Sequence, residues 1–257
     1  DLTNKTAIVK TVDKGISKKR APLLFNLAEL QAECSKRFKI SPDETLQVAQ
    51  DLYERKLTTY PRTDARVLSS AVAKEISKNI RGLRSFEPVA PFVQNIVEHG
   101  LYKNIGKSSY TDDSKITDHY AIVPTGQVNE YKSLTELQKR VYELIVRRFL
   151  SIFYPPAQYQ TVKLTIGIEK ESFFAGAKVL KVPGYLEIAG RPDIKEKREK
   201  EDGDGEENNP KNSAALLKLA DSLKEGDTAE VKEFLVKEGK TSPPKRYTSG
   251  SMVLAME

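Results

Sequence analysis

The sequence contains a single cysteine, Cys34, and therefore has neither an internal disulfide framework nor a zinc site built from cysteine thiolates. Cys34 lies within an apolar helical pattern, which predicts a small buried side chain. No apolar run approaches the ~18 residues that a membrane-spanning helix requires, and no secretory signal peptide is present. These absences exclude a disulfide-stabilised scaffold and a helical membrane protein, and they favour an intracellular protein.

Patterns typical of metal and nucleotide binding are also missing. The chain has two histidines, His99 and His119, without the spacing of a histidine-based metal site. It has no glycine-rich phosphate loop and no Asp-x-Asp-x-Glu cluster. Asp112 and Asp113 form an acidic pair, but they stand in a polar stretch that indicates a solvated loop. We therefore expect no metal site in this chain.

The charge balance favours an acidic partner. The 257 residues include 42 Lys and Arg against 36 Asp and Glu, which gives a formal net charge of +6. A moderate positive excess of this kind is most simply explained by nucleic acid. Residues 191–212 are almost entirely charged residues, glycine, asparagine and proline. Because such a stretch cannot build a core, it predicts a solvated surface insertion.

Apolar and β-branched alternation predicts strands toward both ends of the sequence. The predicted strands lie at 6–12, at 160–166, within 172–182 and within 226–236. The basic residues that follow the first strand, up to Arg20, are predicted to be a solvated exit from it.

Helical spacing dominates the middle of the chain. It predicts helices at 27–38, 42–53, 70–80, 91–100 and 135–149. Ser41 and Glu44 form a capping box around Pro42 at the first helical position. Asn26 is a candidate cap of the first helix, and Asp64 is a candidate cap of the turn that precedes the third. A short strand at 57–60 after the second helix would resemble a helix-turn-helix with the start of a wing.

These patterns predict an α+β fold with a discontinuous β-rich domain. Residues 1–20 and 157–245 are expected to form an antiparallel β-rich domain, and residues 21–156 a mostly helical domain inserted into it. Residues 246–257 are expected to begin a further domain.

The most informative segment is Lys56–Leu68, in which a tyrosine, two arginines and an aspartate surround a proline. Pro61 restricts Tyr60 to an extended conformation and directs the chain into Arg62. A tyrosine hydroxyl has a pKa near ~10, so it needs a cation or a base beside it to act as a nucleophile. Arg62 offers a permanent charge whose geometry suits phosphate oxygens. The segment predicts a nucleophilic tyrosine, and the alternative is a structural turn with the ring packed on the core.

A second informative segment is Thr117–Gly126, where His119 follows Asp118. The aspartate is suited to orienting the imidazole or raising its pKa. A histidine in this setting can contact a phosphate or manage a proton, and the alternative is a histidine that caps a turn. His99 is expected at a helix end, where a cation suits the helix dipole, and it has no expected catalytic role.

The two segments together carry a resemblance to a known family. Leu57–Asp64 (LTTYPRTD) resembles the active-site segment of type IA DNA topoisomerases, in the form typical of bacterial topoisomerase III. Asp118–Thr125 (DHYAIVPT) resembles the downstream histidine segment of that family, which commonly has a second histidine at the position of Tyr120. Further similar stretches lie at 21–27 with 30–31, at 49–54 and at 241–248. Because their order and spacing agree, the resemblance covers essentially the whole chain.

The resemblance implies a covalent mechanism. Tyr60 would attack a phosphodiester in single-stranded DNA, forming a 5′-phosphotyrosyl bond and releasing a 3′-hydroxyl, so that resealing needs no ATP. Arg62 would stabilise charge on the scissile phosphate, and His119 would contact the same phosphate. The resemblance also implies weaker candidates that bind DNA or shape the site, namely Thr63, Asp64 and Arg66.

The resemblance also implies an architecture, a cofactor and a setting. The helical part would match the winged-helix (CAP-like) domain that carries the tyrosine, and the strands would match the arch around the hole through which a second strand passes. The acidic Toprim domain of the family, which binds Mg²⁺, has no counterpart here, so Mg²⁺ is expected only in the full-length enzyme. The expected protein is a central, nearly inactive fragment of a cytoplasmic, nucleoid-associated monomer.

Two other functions compete with a topoisomerase. A non-catalytic DNA-binding module of the winged helix-turn-helix type would hold duplex DNA and would tolerate phenylalanine at Tyr60. A tyrosine recombinase would also use a tyrosine nucleophile, but it needs more histidines around the phosphate and a different order of motifs.

Overall fold

The computed structural model describes Leu2 and residues 4–190, 210–236, 238–241 and 243–257. The strands in these residues are β1 (Thr6–Lys19), β2 (Ala157–Ile168), β3 (Glu171–Val182) and β4 (Thr228–Glu230). They form one antiparallel sheet in the order β3-β2-β1-β4. β1 therefore pairs with β2 although the whole helical region separates them in sequence.

Most helices of the described residues come between β1 and β2 in the sequence. They are α1 (Leu27–Phe38), α2 (Pro42–Glu54), α3 (Ser70–Gly82), α4 (Ala90–Glu98), α5 (Glu136–Ser151), α6 (Leu186–Ala189), α7 (Pro210–Ser222) and α8 (Ser249–Met256). Short 3₁₀ turns lie at Leu83–Ser85, Glu87–Val89, Ile105–Lys107, Asp113–Lys115 and Asn129–Ser133. The five helices predicted from periodicity are confirmed as α1 to α5, and the mixture of helices with an antiparallel sheet is confirmed as well.

Contacts divide the chain into two compact units. The β unit comprises Asp1–Lys19, Pro156–Gly184 and Gly190–Pro243, and the helical unit comprises Arg20–Pro155, Tyr185–Ala189 and Pro244–Glu257. No helix in the described part of the chain is both long and apolar enough to cross a membrane.

The β unit has a small core between its sheet and α7. Val162 and Leu164 of β2 point to the same side of the sheet because side chains alternate along a strand. They pack with Ala177 of β3 against Leu217 and Ala220 of α7, and all five side chains are buried. Burial of this apolar area is the main force that holds α7 on the sheet.

Three predictions for the β unit were wrong in extent. β1 continues to Lys19 instead of ending near residue 12, because residues 13–19 pair with β2 and their backbone groups are satisfied by the ladder. The strand predicted within 226–236 is limited to Thr228–Glu230, which pairs with the start of β1. Of the predicted insertion at 191–212, residues 191–209 lie outside the described residues, and 210–212 begin α7 rather than a loop.

Capping chemistry sets the first helices of the helical unit as predicted. The Asn26 side chain accepts a hydrogen bond from the Glu29 N–H at 2.9 Å, and Ser41 and Glu44 form the complete capping box of α2. Cys34 is fully buried in α1, and burial raises the pKa of its thiol to about 12. The predicted role of Cys34 as a small buried side chain is thus confirmed.

A half-buried arginine anchors the segment that leads into α1. The Arg148 guanidinium of α5 lies 4.0 Å from the centre of the Phe25 ring and donates to the Leu23 carbonyl at 2.9 Å. Burial lowers the pKa of Arg148. The Phe25 carbonyl in turn accepts a hydrogen bond from the Ile122 N–H at 2.8 Å, so this anchor extends to the segment after His119.

Candidate active site

The segment that carries Tyr60 starts from the C-terminal end of α2. The Leu57 N–H donates to the Leu52 carbonyl at 2.9 Å, and the Lys56 N–H donates to the Tyr53 carbonyl at 2.8 Å. This is the pair of hydrogen bonds of a Schellman motif, which requires a left-handed residue just after the helix. Lys56 supplies it with a φ of 59°. The helix therefore ends in a defined geometry, and Leu57 is directed into the core.

Backbone hydrogen bonds then join this segment to the one that follows His119. The Thr59 N–H donates to the Val123 carbonyl at 2.9 Å, and the Thr125 N–H donates to the Leu57 carbonyl at 3.0 Å. The Thr59 hydroxyl donates to the Ala121 carbonyl at 3.0 Å and accepts from the Val123 N–H at 2.9 Å. The strand predicted at 57–60 was wrong, because only one isolated antiparallel bridge forms there, between Thr58 and Pro124.

This pairing brings Tyr60 and His119 together. Their ring centroids lie 4.5 Å apart with a 46° angle between the ring planes. Tyr60 also meets the Tyr53 ring edge-on, with 5.3 Å between centroids. Tyr60 is half-buried and His119 is exposed. The two residues that were singled out in separate sequence segments therefore form one ring contact at the surface.

Thr63 connects the tyrosine segment to the backbone of His119. Its hydroxyl donates to the His119 carbonyl at 2.7 Å and accepts from the Ala65 N–H at 3.1 Å. The Thr63 side chain is only 8% exposed. A buried hydroxyl with both a donor and an acceptor partner holds the two segments in register. Thr63 therefore shapes the site from beneath it.

Two open hollows share His119 as part of their walls. The first hollow, of about 370 Å³, is lined by Tyr60 and His119 together with Tyr53, Lys56, Thr58, Thr59, Tyr120, Thr125 and Gln127. The second hollow, of about 460 Å³, is lined by Arg62, Thr63, Asp64, Asp118 and His119, with the start of α1 and Glu257. Tyr60 and Arg62 thus line neighbouring hollows on the same surface.

The charged candidates differ in how firmly they are held. The Arg62 side chain is exposed and makes no hydrogen bond or ion pair with any residue the structure describes. Arg66, in contrast, pairs with Glu29 at 2.9 Å and donates to the Leu24 carbonyl at 3.4 Å. The guanidinium of Arg62 is therefore available to a ligand, whereas that of Arg66 ties its segment to α1.

The two aspartates also differ from their expected uses. The Asp64 carboxylate accepts a hydrogen bond from the Thr117 hydroxyl at 3.3 Å, and it accepts none from a backbone N–H of the turn before α3, which it was expected to cap. The helix itself is capped by Ser69, whose side chain accepts from the Val72 N–H at 3.2 Å. Asp118 makes no hydrogen bond or ion pair with His119, so the imidazole is oriented by its contact with Tyr60 instead.

Carboxylates near Tyr60 do not form the ligand set of a divalent cation. Within the described residues, no group of three or more His, Cys, Asp or Glu side chains is placed to hold a metal ion. Mg²⁺ requires oxygen ligands at ~2.0–2.1 Å in near-octahedral geometry. The Asp112–Asp113 pair instead binds its own loop and the N-terminus of α3, since Asp113 accepts from the Ser70 N–H at 2.8 Å. The described residues therefore offer no ready set of ligands for Mg²⁺.

Comparison with known proteins identifies the family. A family model described as DNA topoisomerase matches residues 1–257, the full length of the chain. The chain belongs to the DNA topoisomerase family. DNA topoisomerase 3 of Bacillus subtilis is 34% identical over 258 residues, which cover 100% of this chain and 33% of the relative. DNA topoisomerase 3 of Bacillus licheniformis is 36% identical over 257 residues with the same coverage.

A solved structure agrees in fold. Full-length topoisomerase I from Thermotoga maritima matches with a TM-score of 0.62 over 98% of this chain and 37% of that chain. At 22% sequence identity this likeness concerns the fold alone. The topoisomerase chain described here spans about one third of the length of its curated relatives, 33% in the two Bacillus comparisons. The family predicted from the two motifs is confirmed.

Sequence reasoning missed Tyr53 and Lys56 of the first hollow in this topoisomerase chain. Tyr53 and Lys56 line the first hollow with Tyr60, and the sequence patterns assigned a functional role to neither of them. Tyr53 is in fact 39% exposed and touches the Tyr60 ring. Tyr53 lies seven residues before Tyr60, in the last turn of α2, and Lys56 lies four residues before it, just after the helix. This closeness in sequence was the signal that could have identified them.

Proposed function

We propose that this chain provides the nucleophilic tyrosine of a type IA DNA topoisomerase and that Tyr60 is the nucleophile. The observation that supports this most directly is the contact between Tyr60 and His119, with 4.5 Å between ring centroids. The Tyr60 phenol and the His119 imidazole come from two distant segments and line the same open hollow. Family membership supports the same conclusion, because DNA topoisomerases break and rejoin DNA strands.

The proposed reaction is a reversible transesterification. The Tyr60 Oη loses its proton and attacks a backbone phosphorus of single-stranded DNA, while the bond from phosphorus to the 3′-oxygen breaks. The departing 3′-oxygen takes up a proton, and the 5′-phosphate remains on the tyrosine. Attack by the 3′-hydroxyl reverses each step. One phosphodiester is exchanged for another, so the breakage, strand passage and religation need no ATP.

Arg62 and His119 are proposed to act on the attacked phosphate. The exposed guanidinium of Arg62 would stabilise the negative charge that grows on the non-bridging oxygens as the pentacoordinate state forms. His119 would contact the same phosphate from the wall that the two hollows share. Thr63, Asp64 and Arg66 are proposed to shape the DNA-binding surface, with Thr63 acting through the His119 backbone.

The two units are proposed to correspond to separate working parts of the enzyme. The helical unit would be the winged-helix (CAP-like) domain that presents the tyrosine, and the bridge between Thr58 and Pro124 would be the base of its wing. The β unit would be the arch or gate that frames the passage for a second strand. Residues 246–257, which belong to the helical unit by their contacts, would lead into the next domain.

The proposed partner is single-stranded DNA. We propose a monomer that works in the cytoplasm at the nucleoid, where its substrate lies. Magnesium would be bound by a Toprim domain elsewhere in the full-length enzyme, and this chain alone would be nearly inactive. The chain's share of its relatives' length, 33%, is compatible with that division of labour.

A covalent-capture experiment tests the proposed function. The complete topoisomerase polypeptide that contains this chain is incubated with Mg²⁺ and a 3′-labelled single-stranded oligonucleotide, and the products are separated by denaturing electrophoresis. We expect label to migrate with the protein, and we expect the Tyr60→Phe variant to lose that adduct while it keeps DNA binding. Tyr102→Phe, at a tyrosine that lines neither hollow, is the matched control. Binding without any adduct in the unchanged enzyme would instead support a non-catalytic DNA-binding module.

A further inference from the structure

Lys56 occupies a backbone conformation that normally favours glycine. Its φ is 59°, and the non-glycine residues with positive φ in the described part of the chain are Asn4, Lys39, Lys56 and Glu169. The left-handed position after a helix is most often filled by glycine, because a Cβ atom is strained there. A lysine at this position costs stability, and strained residues of this kind are concentrated at functional sites.

The backbone of Lys56 is held firmly on both sides. Its N–H donates to the Tyr53 carbonyl at 2.8 Å, and its carbonyl accepts from the Thr125 hydroxyl at 2.6 Å. Thr125 belongs to the segment that follows His119. The root of the lysine side chain is therefore positioned by the same contacts that bring Tyr60 and His119 together.

The Lys56 ammonium group is free of partners in the described part of the chain. The side chain is exposed, and it makes no ion pair or hydrogen bond with any residue that the structure describes. It lines the first hollow together with Tyr60 and His119, and Arg62 lines the second. Each hollow thus has a cation with no partner among the described residues, and His119 lines both hollows. A DNA strand that crosses His119 would meet one of these cations in each hollow.

We propose that Lys56 binds a backbone phosphate of the DNA strand next to the phosphate that Tyr60 attacks. An ammonium group on a flexible stem suits a phosphate as a point charge, whereas the fork of Arg62 suits the oxygens of the attacked phosphate. The strand would then be held on both sides of the nucleophile, which keeps the scissile phosphate in line with the Tyr60 hydroxyl. This role of Lys56 rests on the proposed function of Tyr60.

The chain offers a closely matched control in Lys39. Lys39 is also an exposed lysine at the C-terminal end of a helix, with a φ of 61°, and it lines neither hollow. Replacing either lysine with glycine removes one positive charge and relieves the same backbone strain. Lys56→Gly and Lys39→Gly should therefore both raise the midpoint of thermal unfolding, by about 2–4 °C.

DNA binding should separate the two variants. Dissociation constants are measured for a labelled single-stranded oligonucleotide over a series of salt concentrations, using the complete polypeptide in a Tyr60→Phe background to prevent cleavage. Lys56→Gly should weaken binding about fivefold at low salt and reduce the salt slope by about 0.7, the value for one phosphate contact on a single strand. Lys39→Gly should change neither quantity, and Lys56→Arg should keep both.

The outcomes distinguish this role from the proposed function as a whole. If Lys56→Gly and Lys39→Gly bind DNA with the same affinity and salt slope, Lys56 is not a phosphate ligand, and the covalent adduct on Tyr60 is unaffected by that result. If the unchanged enzyme forms no adduct while Lys56→Gly still lowers the salt slope, then Lys56 binds DNA but the proposed chemistry fails.

Discussion

The ring of His119 packs against the ring of Tyr60 at 4.5 Å between centroids, and each residue lies in a segment hydrogen-bonded to the other. The Thr59 N–H next to the tyrosine reaches the Val123 carbonyl at 2.9 Å, and the Thr63 hydroxyl reaches the His119 carbonyl at 2.7 Å. Displacing one segment therefore displaces the other. Tyr60, the candidate nucleophile, and His119, the candidate phosphate ligand, are therefore held in fixed positions relative to each other.

Replacing His119 should slow DNA cleavage without unfolding the protein. In the complete enzyme we expect His119→Ala to lower the single-turnover cleavage rate about 10²-fold, the usual effect of losing a group that assists proton transfer or contacts the reacting phosphate. His99→Ala is the control, because the His99 ring contacts the Asn95 carbonyl at 3.0 Å within its own helix turn. Equal cleavage rates for the two variants would remove His119 from the proposed site.

Replacing Arg62 with alanine should mainly slow DNA cleavage, whereas replacing Arg66 with alanine should mainly lower stability. Arg62→Ala should reduce cleavage about 10²-fold, as expected for a lost stabiliser of charge in the transition state, and should change stability by less than about 0.5 kcal/mol. Arg66→Ala should lower the free energy of unfolding by about 1 kcal/mol, because it loses a partly exposed ion pair with Glu29. Urea unfolding and single-turnover cleavage measure the two effects separately. A large loss of stability in Arg62→Ala would contradict its description as an available guanidinium.

Stability and DNA cleavage should depend on the hydroxyl of Thr63 but not on its methyl group. Thr63→Val keeps the shape of the side chain but leaves the His119 carbonyl and the Ala65 N–H without their partner. We expect a loss of about 1–3 kcal/mol in the free energy of unfolding, together with slower cleavage. Thr63→Ser keeps both hydrogen bonds and should be close to the unchanged protein in both measurements. Similar values for Val and Ser would show that these hydrogen bonds do not hold the segment.

A close backbone contact should make Gly82 intolerant of any side chain. A Cβ atom added at Gly82 would lie 2.7 Å from the carbonyl carbon of Gly126, which itself has a φ of +92°. Neither backbone can yield easily, so Gly82→Ala should cost about 1–3 kcal/mol in urea unfolding. The control is Gly106→Ala, where the nearest atom is the Ala73 Cβ at 3.9 Å. That variant should be neutral or slightly stabilised, because alanine favours helical conformations more than glycine does. Equal losses at both positions would contradict a specific effect of the Gly126 contact.

Local chemistry explains why the helices were predictable and some strand limits were not. The capping box of Ser41 and Glu44 lies within one turn, so the residues that specify it are neighbours in sequence. The end of β1 depends instead on its partner, because residues 13–19 stay extended only through their pairing with β2. Helix α7 was missed for a related reason, since its buried face is defined by Val162 and Leu164 in a distant part of the chain.

The sequence by itself determined the family, the positions of the main helices and the two segments that carry Tyr60 and His119, because capping, periodicity and short motifs are local properties of the chain. Only the tertiary structure decided that these rings touch and that Arg62 lines a neighbouring hollow. It also decided that Lys56 adopts a left-handed conformation and that its side chain lines the first hollow. The physical reason is that these relationships depend on hydrogen bonds between segments far apart in sequence, and no local pattern encodes which distant segments will pair.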